Sequence, residues 1–105
     1  MVKSIATKAE FDDVLKNAGD KLVAVDFTAT WCGPCQRIGP KFVEMAATYT
    51  DVVFIKVDVD ENAETAEHCG IEAMPTFKFY KNSKEIDELV GASEEQLKAK
   101  IEANK

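Results

Sequence analysis

The sequence predicts an α/β fold with a central mixed sheet of four or five strands and helices on both faces. Two observations carry this. The runs Leu22-Val23-Ala24-Val25-Asp26-Phe27 and Val52-Val53-Phe54-Ile55-Lys56-Val57 are apolar on both alternating faces, as in strands covered on both sides. Helical patterns separate the strands until a tight connection near the C-terminus. Helix-linked strands imply a parallel portion, and the tight connection implies an antiparallel one.

The elements follow in the order β-α-β-α-β-α-β-β-α. Val2 to Ile5 is a short candidate strand. Thr7-Lys8-Ala9-Glu10 is a capping box, so a helix starts at Thr7, with Glu10 reaching back to the first N–H. Phe11, Leu15 and Ala18 give that helix one apolar face, and Gly19 is its expected left-handed stop. After the strand Leu22–Phe27, a second helix begins at or just past Cys32 and runs to about Tyr49. Its core positions are Ile38, Phe42, Met45, Ala46 and Tyr49. Pro40 lies inside it, cannot donate to the carbonyl of Gln36, and is expected to kink it. The strand from Val52 leads to a short helix over about Asn62 to Cys69. Thr76 to Tyr80 reads as an alternating strand with its apolar set at Phe77 and Phe79. Lys81-Asn82-Ser83-Lys84 is a hairpin connection into a charged strand, Lys84 to Val90, of the type that blunts an open edge. Gly91-Ala92 breaks it. Ser93-Glu94-Glu95-Gln96 is a second capping box, and Leu97 and Ile101 anchor the last helix.

At 105 residues the chain has the length of one domain, residues 1–105, with a substantial core. Hydrophobic residues make up 46% and charged ones 30%, an ordinary balance for a soluble globular protein. The net charge of −6 argues against a nucleic-acid or anionic-membrane surface. No apolar run is long enough to cross a bilayer, and no apolar h-region follows Met1, so no secretory signal is expected. The three cysteines are an odd count, and only two have redox spacing. A reducing compartment with a catalytic disulfide fits best, and a cytoplasmic location is expected.

The chemistry centres on Ala29-Thr30-Trp31-Cys32-Gly33-Pro34-Cys35. Cysteines three apart at a helix start share one face, within the roughly 4.4–6.8 Å Cα separation a disulfide needs. Cys32 meets unpaired backbone N–H groups and the positive end of the dipole, so its thiolate is favoured and it is the attacking sulfur. Cys35, one turn in, is the resolving thiol. Pro34 falls in the first turn, where its missing N–H has no partner to lose, and Gly33 keeps the approach open. Thiol–disulfide exchange through a mixed disulfide follows. A zinc half-site is the alternative, but the remaining Cys69 and His68 are adjacent and lack ligand spacing. A purely structural disulfide would close too short a loop to add much stability.

Asp26 is the next candidate. A carboxyl inside an apolar strand should have a raised pKa, and near neutrality it could accept and return the proton of Cys35. A buried ion pair with Lys56 is the structural alternative; as a nearby cation, Lys56 would also limit the upward shift. Pro75 at a strand start is ordinary, and the sequence alone gives no cis assignment. Trp31 is either core or an exposed platform, its place at the helix mouth favouring the platform. Cys69 reads as a small buried hydrophobe and His68 as a solvated histidine.

Val25-Asp-Phe-Thr-Ala-Thr-Trp-Cys-Gly-Pro-Cys35 together with Met74-Pro-Thr-Phe77 resembles the thioredoxin family over essentially the whole chain. The length and Val57-Asp-Val-Asp60 are similar to its animal cytosolic type. The resemblance implies a thioredoxin fold and a general protein-disulfide reductase. Cys32 would be the nucleophile, Cys35 the resolving thiol, and Asp26 the buried carboxyl beneath them. Pro75 would be cis and face the disulfide, and Met74 would offer its backbone to an extended substrate. Trp31, Gly33, Pro34, Thr76, Gly91 and Ala92 would complete the docking surface. Disulfide-containing proteins would be substrates and thioredoxin reductase the electron donor, with NADPH behind it. The protein, a monomer, would hold no cofactor and no metal. A redox-dependent binding module, releasing its partner when Cys32 and Cys35 oxidise, is the other reading. Asn62 and Ala73 stand where mammalian-type relatives carry cysteines, so Cys69 has no intramolecular partner here.

Overall fold

Five strands form one mixed sheet in the order β1-β3-β2-β4-β5 in the computed structural model, which describes residues 1–105. In chain order the elements are β1 (Val2–Ser4), α1 (Lys8–Ala18), β2 (Val23–Thr28), α2 (Gly33–Thr48), β3 (Val53–Asp58), α3 (Ala63–His68), β4 (Thr76–Lys81), β5 (Lys84–Val90) and α4 (Glu94–Asn104). β1, β3 and β2 run parallel, and β4 and β5 are antiparallel additions. The expected mixed sheet therefore has five strands, each within a residue or two of its expected span.

Local signals set the helix ends. Thr7 Oγ1 accepts from the Glu10 N–H at 3.1 Å, capping α1. Glu10 reaches one residue further back than a capping box requires, because its Oε1 accepts from the Ala6 N–H at 2.8 Å. Gly19 ends α1 at a φ of +60°, a value open to glycine without strain. Ser93 Oγ caps α4 through the Gln96 N–H at 3.2 Å. Pro40 lies within α2, which continues on both sides of it.

The sheet separates two apolar layers. Ala24, Phe54, Phe77, Phe79 and Leu89 meet Ile38, Phe42 and Met45 of α2 and Leu97 and Ile101 of α4. On the opposite face Val23, Val25, Phe27, Ile55, Val57 and Tyr80 meet Phe11 and Leu15 of α1. β2 feeds both layers, as its uninterrupted apolar run predicts. Burying each large side chain contributes about 1.5–3 kcal/mol.

β4 departs from its expected alternation. Thr76 through Tyr80 are all buried, not only Phe77 and Phe79. The strand lies between β2 and β5, and the face carrying Lys78 and Tyr80 is covered as well. Asn82 and Ser83 both take positive φ, 54° and 64°, the signature of a two-residue turn whose twist matches the flanking strands. Ile86 is the extra residue of a bulge, since Phe79 pairs with Asp87 and Tyr80 with Glu85.

Candidate active site

β2 and β3 deliver their C-terminal ends to the place where α2 starts and β4 begins. Cys32 is the N-cap of α2, in extended backbone, and its Sγ accepts the Cys35 N–H at 3.2 Å. The sulfur thus occupies the position of a capping oxygen, among N–H groups that have no helical partner. Cys32 and Cys35 are joined as a disulfide with their Cα atoms 5.3 Å apart. Both are buried, Cys32 at 6% exposure and Cys35 at 2%. Gly33 and Pro34 fill the first two helical positions and are exposed. A side chain on Gly33 would meet only the flexible Arg37 guanidinium, so open space surrounds it.

Ala29, Cys32 and Cys35 form a small apolar cluster of their own, against which Val59 and Met74 pack. The Met74–Pro75 peptide bond is cis, which local sequence had left open. Thr76 Oγ1 donates to the Ala73 carbonyl at 2.6 Å. The Gly91 N–H bonds to the Pro75 carbonyl at 3.0 Å, and Gly91 takes a φ of +111° that favours glycine. Ala92 is exposed beside it.

Asp26 lies on the α2 side of the sheet, 3% exposed, with no hydrogen-bond partner for its Oδ1. Burial pushes its pKa up to about 7, and the Lys56 charge opposes that rise. The alternative of a buried Asp26–Lys56 ion pair does not hold. The two are in register on paired strands, but Lys56 is exposed and no ion pair forms. A lysine stem next to the short β1 edge carries its ammonium to water instead. Asp26, Cys35 and Lys56 line the same cleft, of about 690 Å³.

Trp31 is 66% exposed, as a platform would be, and its indole N–H donates to Asp60 Oδ2 at 2.8 Å. Asp60 enters the sequence reading only as the end of Val57-Asp-Val-Asp60, with no site role. Its turn is held by Asp58 Oδ1, which accepts the Asp60 and Glu61 N–H groups at 2.9 and 3.2 Å. An aspartate followed two residues later by another is a local Asx-turn signal, but its reach to Trp31 is not local.

Cys69 and His68 do not join the pair. Cys69 packs at the margin of the α1-side layer, its sulfur 3.4 Å from the Tyr80 hydroxyl, and burial pushes its thiol pKa up. His68 is exposed. No group of three or more His, Cys, Asp or Glu side chains gathers in a metal-holding arrangement.

Comparison with known proteins agrees along the whole length. The thioredoxin family model matches residues 2–103. The chain is 63% identical over 106 residues to the thioredoxin of Geodia cydonium, covering 100% of both chains. It is 48% identical over 101 residues to that of Homo sapiens, covering 96% of both. The structure of Fasciola hepatica thioredoxin superposes with a TM-score of 0.97 at 42% identity, covering 98% of this chain and 99% of that one. A thioredoxin structure from Plasmodium falciparum gives 0.93 at 50% identity, with the same coverage. By sequence over its full length, by fold and by the cysteine pair at the mouth of α2, the chain belongs to the thioredoxin family, whose members are thiol–disulfide oxidoreductases.

Proposed function

We propose that the protein is a general protein-disulfide reductase, with Cys32 as nucleophile and Cys35 as resolving thiol. The observation that carries the assignment is the Cys35 N–H directed at Cys32 Sγ, at the N-terminus of α2. In the reduced protein the same donor and the helix dipole favour a Cys32 thiolate. That thiolate attacks one sulfur of a substrate disulfide, and the other sulfur leaves as a thiolate. Cys35 then gives up its proton and attacks Cys32 in the mixed disulfide. Cys32–Cys35 forms, the second substrate sulfur leaves, and two electrons have passed to the substrate. Asp26, in the same cleft as Cys35 and with its carboxyl near neutrality, accepts that proton. Re-reduction would draw on NADPH by way of thioredoxin reductase, and the protein would act as a cytoplasmic monomer.

In this reading the exposed Trp31, Gly33, Pro34 and Ala92, with the half-buried Met74 and Gly91, form the docking surface, and Pro75 and Thr76, expected in it but buried, back it from below. The exposed Trp31 beside the pair supports a second reading too, a partner held only by the reduced form. One experiment separates them: reduction of insulin by NADPH and a thioredoxin reductase at sub-stoichiometric protein. Many turnovers, abolished in Cys32→Ser, are expected, and Cys35→Ser should accumulate disulfide-linked substrate. Absent or merely stoichiometric turnover by the intact pair would overturn the reductase reading. A partner that binds Cys32→Ser/Cys35→Ser as well as it binds the reduced protein would favour the second.

A further inference from the structure

Asn62 is a buried polar residue, 3% exposed, with both ends of its amide in use. Its Oδ1 accepts the Thr65 N–H at 3.3 Å and caps α3. Its Nδ2 donates to the Ile5 carbonyl at 3.2 Å, across 57 positions of sequence. Ile5 in turn bonds through its N–H to the Lys56 carbonyl at 2.9 Å, and the Asn62 N–H bonds to the Asp58 carbonyl at 2.9 Å. The segment from Lys56 to Asn62 is therefore closed into a ring, with the Asn62 side chain as its clasp.

That ring presents two residues to the cysteine pair. Val59 bonds through its N–H to the Thr28 carbonyl at 2.9 Å and packs against the Ala29–Cys32–Cys35 cluster. Asp60 receives the indole N–H of Trp31. Asp60 is exposed, so its carboxylate is placed by the turn beneath it, which Asp58 and Asn62 hold at either end. A helix cap alone would be served equally by serine or aspartate. Only the amide also supplies a donor that reaches Ile5.

We propose that Asn62 is a positioning residue for substrate docking: by clasping the 56–62 turn to Ile5, the residue that follows β1, it holds Asp60 where Asp60 fixes the Trp31 indole. This rests on the reading of Trp31 as docking surface. A fixed indole spares a protein substrate the entropy of ordering it, whereas a small disulfide that reaches the sulfurs without covering Trp31 gains nothing.

Asn62→Ser tests this, because it keeps the α3 cap and withdraws the reach to Ile5. The readouts are the steady-state fluorescence anisotropy of Trp31, the protein's one tryptophan, and the second-order rate of oxidation of the prereduced protein by insulin and by cystine. The expected result is lower anisotropy, an insulin rate down about fivefold, and a cystine rate unchanged. Asp60→Ala should give the same loss, and the two substitutions together no more than either alone. Unchanged anisotropy, equal loss toward both oxidants, or additive losses would overturn the proposal. Trp31→Ala separates the two layers of the argument. If it leaves the insulin rate intact, the docking reading falls and this inference with it. If it slows insulin while Asn62→Ser does not, the Asn62 inference alone fails.

Discussion

Asp26 on β2 and Lys78 on β4 are both buried, 3% and 6% exposed, on strands that pair directly, and they are handled in opposite ways. Lys78 lies 2.9 Å from Glu85 and 3.1 Å from Glu88 on the neighbouring strand. Burial pulls its pKa down, but the two glutamates more than offset this, and its net shift is upward. Asp26 has an orphaned oxygen, an open cleft and a neighbouring cation that forms no ion pair with it. Burial alone therefore does not mark a reactive group. A buried charge whose partners are supplied is a structural tie, and one left without them keeps a proton available near neutral pH.

Asp26→Asn should break the comparison most strongly. With a folded pKa of about 7 against the ordinary aspartate value of 3.8, the folded protein holds a proton that the unfolded chain has already released. Stability therefore falls as pH rises through that window and levels off above it. The shift corresponds to roughly 4 kcal/mol. Asp26→Asn should gain up to that amount at about pH 8 and almost nothing near pH 4, while slowing turnover near neutrality. Urea unfolding across pH checks it, and parallel pH profiles in both proteins would contradict the picture.

Glu85→Gln/Glu88→Gln should make Lys78 resemble Asp26, by leaving its ammonium buried without counter-charge. The expected loss is about 2 kcal/mol at neutral pH, below the full value for a buried pair because both glutamates are partly exposed. Adding Lys78→Met should recover most of it. A double variant as stable as the parent would mean that water, not the glutamates, satisfies Lys78.

Lys56→Met should have the smallest effect. Removing the cation that opposes the rise should move the Asp26 pKa higher. The stability decline, and the pH at which turnover responds to this carboxyl, should then extend to higher pH. An unmoved profile would leave burial as the only influence.

Sequence and structure agree most closely where the signal is local, although Glu10 reaches Ala6 and not the Thr7 N–H, and Gln96 does not reach back to Ser93. Thr7 and Ser93 are caps because their partners lie three residues on, and Asp26 stands out because its neighbours on both sides are apolar. Lys78 was hidden by the same logic. A lysine between Phe77 and Phe79 reads as a solvent-facing position, and only the tertiary covering of the second face makes it buried. The indole partner Asp60 lies 29 residues from Trp31, and the carbonyl that Asn62 reaches is further still. No periodicity encodes such pairings. The nearness of Lys56 to Asp26 was legible from the two apolar strands, but its exposure was not.

The Asn82–Ser83 turn lies at the other end of the sheet from the chemistry. β2 pairs its Phe27 with Thr76 near the cysteines and its Val23 with Tyr80 just before the turn, about 13–14 Å away along the strands. Both turn residues are exposed, and a single backbone bond, from the Asn82 N–H to the Gly19 carbonyl at 3.1 Å, tethers the tip. Foreign peptides grafted there would be displayed on a rigid handle with the catalytic end unobstructed, which makes this hairpin the natural place to attach a cargo, a label or a second module.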